Sequence, residues 1–146
     1  MNGVTIAQRG FPLGLTTSVN QTSSYGGGSR PNNDGTSAAL SGPVESRLNR
    51  YFDVSVFSQP PAFTFGNLAR TLPDVRAPGP VTFDFSVFKN TRIAERYNVQ
   101  LRAEAFNALN HPNFGAPTTT FGAGGFGSIG GTSAARLLQL ALKLQF

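Results

Sequence analysis

The side chains that could carry acid–base or metal chemistry are few in this chain of 146 residues. His111 is the only histidine, and its Asn-His-Pro context is typical of a turn. Asp84 and Glu104 are carboxylates of predicted strands, and charge pairing with Arg102 or Lys89 accounts for both. We therefore expect no enzymatic activity, no metal site and no cofactor.

Other chemical signatures are also missing from the sequence. No serine lies in a nucleophile motif, and Gly26–Gly28 lacks the Lys-Ser/Thr of a phosphate-binding P-loop. The chain has no cysteine, which excludes a disulfide framework and a thiolate metal site. Its 12 Lys and Arg are scattered singly rather than clustered, so we expect no nucleic-acid partner.

The most regular element is the stretch 135–146 (ARLLQLALKLQF). Leucines from Leu138 to Leu144 take every second position, polar or small residues take the others, and Phe146 ends the stretch. This period of two predicts a strand with one apolar and one polar face.

Two further stretches, 81–92 and 97–108, alternate in the same way and predict a hairpin. Both have their apolar residues on odd numbers, so paired residue numbers must add to an even total. An even total is possible only if the turn contains an odd number of residues, such as the three residues Ala94-Glu95-Arg96. The alternation slips at Phe88–Lys89, which indicates either a bulge or the end of an apolar zone. A helix over 97–110 is the alternative, but strict alternation there favours a strand.

The remaining segments have weaker signals. Residues 4–19 predict a strand bent near Gly10, and 109–134, rich in Gly and Pro, predict a loop. Residues 20–80 predict a long loop whose polar first part, 20–50, is too polar to bury a core. Its second part should contain a short helical turn at Asp53–Phe57, capped by Asp53. Four phenylalanines there should pack the loop into an ordered structure: Phe52, Phe57, Phe63 and Phe65.

Together these segments predict an all-β protein, an antiparallel meander of about four strands with long irregular loops. A tight turn at 93–96 alternates with long connections at 20–80 and 109–134, as periplasmic turns and extracellular loops do in outer-membrane barrels. Charged residues are only 13% of the chain, and the apolar faces would contact outer-membrane lipid. Four polar side chains would face the lumen: Asp84, Arg102, Glu104 and Lys143. The first ten residues do not resemble a signal peptide, so we expect an export signal outside this sequence.

Several stretches resemble the C-terminal end of TonB-dependent outer-membrane receptors. They are YFDVSVF, FGNLARTLPDVRAPG, FDFSVFKNTRIAERYNVQLRAEAFNALNHPNFG and LQLALKLQF. The resemblance covers roughly residues 5–146, is most specific over 83–114, and is greatest to the Oar-like branch with a carboxypeptidase-regulatory-like domain. It implies a receptor in the outer membrane of a Gram-negative bacterium.

The resemblance also implies a fold and a set of partners. The fold would be a 22-stranded barrel, of which this chain supplies the last four strands or so. The partners would be the rest of the barrel, its internal plug, and an energising inner-membrane complex reached through an N-terminal part outside this sequence. The final strand resembles the signal read by the outer-membrane assembly machinery, with these matching positions: Gln139, Leu140, Ala141, Leu142, Leu144 and Phe146.

A different class stays open from the sequence alone. The chain could be a small secreted β-rich binding or structural protein whose Gly, Ser and Asn loops form its interaction surface. Purification without detergent separates the two hypotheses, because uncovered apolar strand faces should not stay soluble.

Overall fold

The computed structural model describes residues 1–24, 28–94 and 96–146. The chain divides into a sheet unit (Met1–Arg9, Gly79–Asn113, Thr132–Phe146) and a loop unit (Gly10–Pro78, Phe114–Gly131). A 3-10 helix spans Val44–Arg47. The strands, numbered in chain order, are β1 Asn2–Ala7, β2 Thr16–Thr17, β3 Asn32–Asn33, β4 Phe57–Ser58, β5 Val81–Ala94, β6 Tyr97–Phe106, β7 Thr120–Phe121 and β8 Leu137–Gln145.

Two sequence features fall outside the described residues. They are Gly26 and Gly27 of the glycine triplet, and Glu95 at the centre of the predicted odd-length turn. Among the described residues, no helix is long and apolar enough to cross a membrane.

The sheet unit contains one antiparallel sheet with the strand order β1-β5-β6-β8. Successive long strands are neighbours, so the sheet is a meander, as the sequence predicts. The stretch after Tyr97 is a strand and not a helix, because its alternating side chains suit the two faces of a sheet. The strand ends at Phe106, since Asn107 adopts a left-handed backbone with φ of 49°.

The pairing of β5 with β6 confirms the predicted parity. Its register runs unbroken from Phe85 to Arg92, and every pair of residue numbers adds to an even total. The pairing continues through Phe88 and Lys89, so a bulge at that position is wrong; the register shifts instead between Arg92 and Ala94. The alternation changes at Lys89 because the odd-numbered face turns polar there, which favours the end of an apolar zone.

The pairing of β6 with β8 brings their apolar faces together. Leu142 lies opposite Leu101, Leu144 lies opposite Val99, and the pairing continues along both strands. Because directly paired residues share a face, the even-numbered leucines of β8 extend the odd-numbered face of β5 and β6. The polar positions of the three strands share the opposite face.

The first strand is shorter than the sequence suggests. It spans Asn2–Ala7, so the predicted strand over 4–19 is wrong beyond residue 7. The Gly10 backbone lies so close to the Ala77 carbonyl that a Cβ atom would be 1.6 Å from its oxygen. This contact draws the chain into the loop unit, where its continuation pairs only briefly, at β2 with β7.

The loop unit contains a hydrophobic core, contrary to the expectation of an unpacked polar loop over 20–50. Ala38 and Ser29, both within that range, are buried. The core is supplied by apolar residues from several parts of the unit, which cover one another although no single stretch is strongly apolar. Its larger members are Leu13, Leu15, Tyr51, Phe52, Val56, Phe57, Leu68, Leu72, Val75 and Ile129.

Aromatic edge contacts organise the centre of this core. The ring of Phe52 lies 5.4 Å from that of Phe126 and 6.0 Å from that of Phe57, both at steep interplanar angles. Such edge-to-face pairs add to the free energy of burial. Phe52 and Phe57 therefore pack as predicted, whereas Phe63 and Phe65 are exposed, contrary to prediction.

The predicted helical turn after Asp53 is a non-helical turn. The Ser55 amide and hydroxyl both donate to Asp53 Oδ1, at 3.0 and 2.7 Å. These bonds form an Asx turn, which reverses the chain without a helix. Asp53 therefore accepts hydrogen bonds in a turn but caps no helix, so the predicted helix and its N-cap are both wrong.

Candidate functional site

The apolar face of the sheet carries several exposed large side chains. Leu140 is 78% exposed and Leu142 is 73% exposed on β8, and Leu101 is 53% exposed on β6. Their leucine and valine neighbours continue the same surface along the three strands. A contiguous apolar surface of this kind marks contact with a membrane or a protein partner.

The four polar residues predicted for a lumen lie together on the opposite face. The register of the three strands places Asp84, Arg102, Glu104 and Lys143 on that side. The Arg102 guanidinium pairs with the Glu104 carboxylate at 2.7 Å. Lys89 is on the apolar side of β5, so the predicted pairing of the carboxylates with Lys89 is wrong.

The other charges of this face have polar neighbours. Asp84 accepts a hydrogen bond from the Asn107 amide at 2.9 Å. Lys143 lies opposite Gln100 in the register, and Gln100 donates to Asn90 at 2.8 Å. The arrangement is a polar surface that contains hydrogen bonds and an ion pair.

Val4 and Ile6 add an unexpected apolar element to the polar face. They lie opposite Asp84 and Thr82 in the β1–β5 register, and both are exposed. The polar face therefore carries apolar side chains at one of its edges.

His111 belongs to a clasp at the end of the sheet, formed by residues 107–113. The His111 amide donates to Asn107 Oδ1, and Asn107 Nδ2 donates to the His111 carbonyl, both at 3.0 Å. These bonds use the backbone of His111 and not its imidazole. Among the described residues, no group of three or more His, Asp or Glu side chains could hold a metal ion.

Three asparagines of the clasp are structural residues that the sequence reasoning missed. Asn113 accepts from the Val81 amide at 2.7 Å and donates to the Val81 carbonyl at 3.0 Å. Asn110 accepts from the Arg136 amide at 3.0 Å. Only the bonds of Asn107 to His111, four residues on, could have been anticipated, since Asn readily bonds to nearby backbone. The partners of Asn110 and Asn113 are 26 and 32 residues away in sequence.

The predicted assembly residues all lie on or next to β8, at the edge of the sheet. Within the described residues, β8 pairs only with β6, which leaves its other edge without a strand partner. Gln139 lies opposite Glu104, and Ala141 lies opposite Arg102. The small Ala141 side chain therefore stands beside the long side chain of Arg102. Phe146 is 94% exposed.

The groups with shifted pKa values lie in the loop unit. Hydrogen bonds from Ser55, together with Arg50, lower the pKa of Asp53 to about 2. Burial raises the pKa of Tyr51, although the neighbouring Arg47 opposes the shift. The Tyr51 hydroxyl donates to the Arg76 carbonyl at 2.7 Å. The burial and hydrogen bonds of Tyr51 and Asp53 therefore account for the shifts of their pKa values.

Comparison with known proteins supplies a family. A family model described as an outer membrane beta barrel domain matches residues 1–139. No curated protein and no solved structure matches the chain.

Proposed function

We propose, since this chain belongs to the outer membrane beta barrel domain family, that it is the C-terminal part of a TonB-dependent receptor for nutrient uptake. Family membership gives the coarser statement directly: the chain is an all-β barrel protein of the Gram-negative outer membrane. The receptor class and its transport activity are the proposal. They rest on the sequence resemblance, which is most specific over 83–114.

The observation that carries the proposal is the pairing of three two-faced strands in matching register. Leu101, Leu142 and their neighbours form one apolar face, while Arg102, Glu104 and Lys143 lie on the other. A barrel wall needs this arrangement, because one face contacts lipid and the other faces a polar lumen. We therefore assign the apolar face to lipid and the polar face to the lumen.

The connections suggest a sidedness. The short connection between β5 and β6 would be periplasmic, and the long segments of the loop unit would be extracellular. The hydrophobic core of the loop unit supports ordered extracellular segments and not a flexible tether. In the receptor, an internal plug would fill the lumen and an inner-membrane complex would supply energy for release of the nutrient.

The edge strand β8 would close the barrel and act as its assembly signal. Its backbone groups on one edge are open to pairing with another strand, and alternating side chains give such pairing its specificity. The partners would be a further strand of the barrel and, during insertion, the outer-membrane assembly machinery. Family membership favours this hypothesis over a small secreted binding protein.

Cysteine labelling tests the proposed orientation, since the natural chain has no cysteine. Single substitutions Leu140→Cys and Lys143→Cys would be made in the receptor in outer-membrane vesicles. We expect a water-soluble maleimide to modify Lys143→Cys far faster, and a membrane-partitioning maleimide to modify Leu140→Cys. Equal modification of both positions by the water-soluble reagent would contradict the orientation.

Uptake experiments test the receptor class separately. A strain that lacks the receptor should lose energy-dependent uptake of one nutrient, and a strain that lacks the energising complex should lose it as well. Uptake that continues without the energising complex would indicate a passive barrel. That result would leave the barrel fold and its orientation intact.

A further inference from the structure

An apolar hollow of about 370 Å³ lies in the sheet unit, at the end of the sheet that carries the asparagine clasp. Its lining combines the start of β5 with the clasp and one residue of β1. Phe83 and Val81 come from β5, and Leu109 and Pro112 come from the clasp. The polar part of the lining comes from Thr5, Thr82, Asn110 and His111.

Hydrogen bonds hold the clasp side of this hollow in place. Asn113 binds both backbone groups of Val81, and Asn107 binds both backbone groups of His111. Between these fixed points, Leu109 stays 73% exposed. The hollow is therefore a preorganised concave surface with an apolar side chain at its rim, and not the result of a loose loop.

The hollow is continuous with the apolar face of the sheet. Val81 and Phe83 are odd-numbered residues of β5, and the same face continues through Phe85 and Val87 to the leucines of β8. Under the proposed function, this face contacts the hydrocarbon of the outer membrane. Water would gain few hydrogen bonds in such a hollow, and an empty space would forfeit dispersion contacts.

We propose that this hollow binds one acyl chain of a membrane lipid. The inference rests on the proposed lipid-facing orientation and adds a specific lipid site to it. Phe83, Leu109 and Pro112 would contact the chain, and Thr5 and His111 would face the more polar part of the lipid near its ester groups.

Photocrosslinking in vesicles tests the site. The receptor that contains this chain would be reconstituted into phosphatidylcholine vesicles that contain a phosphatidylcholine with a diazirine on one acyl chain. After irradiation, mass spectrometry would compare labelling of residues 81–83 and 109–112 with labelling of 138–144. We expect labelling of the hollow to exceed that of the open β8 surface several-fold, because a bound chain resides longer than a passing one.

Three variants sharpen the test. Leu109→Trp fills the hollow and should remove the excess labelling at 81–83, whereas the matched control Leu140→Trp, on the open face, should keep it. Unchanged labelling of 138–144 in Leu109→Trp would show that the sheet is still inserted. A second substitution, Leu109→Ser, removes the apolar rim and should give the same loss.

The outcomes separate the two proposals. The lipid site is overturned if the whole apolar face is labelled uniformly, or if the excess labelling persists in Leu109→Trp. Either result is still consistent with an apolar face that contacts lipid. Labelling absent from all strands overturns the orientation and the site together. Excess labelling that a soluble apolar ligand displaces, but added unlabelled lipid does not, would assign the hollow to that ligand and overturn the lipid proposal.

Discussion

Leu101 of β6 lies directly opposite Leu142 of β8, and each of these paired side chains is more than half exposed. Cross-strand leucine pairs in a soluble sheet normally lie beneath a second layer. Among the described residues, every buried hydrophobic side chain belongs to the loop unit, and none belongs to the sheet unit that contains this pair. Such an exposed pair is expected where lipid, and not a second protein layer, covers the sheet. Substitutions at individual residues test this expectation.

A charge introduced into this pair should destabilise the inserted protein. Leu142→Arg should lower the free energy of unfolding by about 2–4 kcal/mol if the residue lies near the middle of the membrane, because the guanidinium would enter hydrocarbon. Urea unfolding of the chain in phospholipid vesicles would measure the loss. The matched control is Lys143→Arg, one position along β8 on the polar face, which should change little. Equal stability of both variants would contradict the assignment of the faces.

The ion pair on the polar face should contribute little to stability. Arg102 and Glu104 are paired at 2.7 Å, but the Arg102 side chain is half exposed, and exposed pairs are worth about 0–1 kcal/mol. We expect Arg102→Ala and Glu104→Ala to show a coupling free energy within that range in a double-mutant cycle. A coupling of several kcal/mol would mean that the pair is shielded from solvent in the assembled barrel.

Asn113 should matter more than its exposed neighbours. Asn113→Ala would leave the Val81 amide and carbonyl without their partner, at a cost of about 1–3 kcal/mol for each group that stays buried. The control Asn98→Ala, on the polar face of β6, should cost less than about 0.5 kcal/mol, as surface substitutions usually do. Urea unfolding of both variants provides the comparison, and equal losses would argue against the clasp.

Alternation made the sheet predictable from sequence. In β6 and β8, and in β5 as far as Val87, every second side chain is apolar. Strand type, faces and the parity of the register all follow from this period of two. Of the two alternatives at Phe88–Lys89, the bulge is wrong. A change of side-chain polarity on one face gives the same sequence pattern as a shift of strand register, so the sequence alone did not distinguish them. The structure separates the two, since the hydrogen-bond register continues through both residues.

The loop unit was less predictable, because its core has no period. Leu13, Phe52, Leu72 and Ile129 come from four separate stretches, each bounded by polar, Gly or Pro residues. Local composition therefore indicates a loop, although contacts between distant stretches bury these side chains. The clasp was missed for a related reason: Asn113 bonds to Val81, which precedes it by 32 residues, and sequence spacing alone does not reveal such a partner.

Acid should weaken the turn at Asp53 over a defined pH range. Its pKa is lowered to about 2 in the folded chain, below the ordinary value for Asp of about 3.9. The stabilising contribution is therefore complete above about pH 4 and is lost as the pH falls towards about 2. Asp53→Asn keeps an acceptor for the Ser55 amide and removes the titration. We expect thermal unfolding to show a smaller acid-induced loss of Tm in Asp53→Asn than in the natural chain; identical pH profiles would contradict the shift.

Removal of Phe146 should impair assembly more than it impairs folding of the finished protein. Its side chain is almost fully exposed, so deletion sacrifices little internal packing, yet the proposed signal on β8 includes it. In the full-length receptor, deletion of Phe146 should lower the amount in the outer membrane, while Phe146→Tyr, which keeps the aromatic ring, should restore most of it. Quantitative blotting of outer-membrane fractions would measure the difference, with heat-modifiable gel mobility as the test that any inserted protein is folded. Unchanged outer-membrane levels after deletion would remove the assembly role from this residue, and equal loss in both variants would show that the requirement is for phenylalanine itself and not for an aromatic ring.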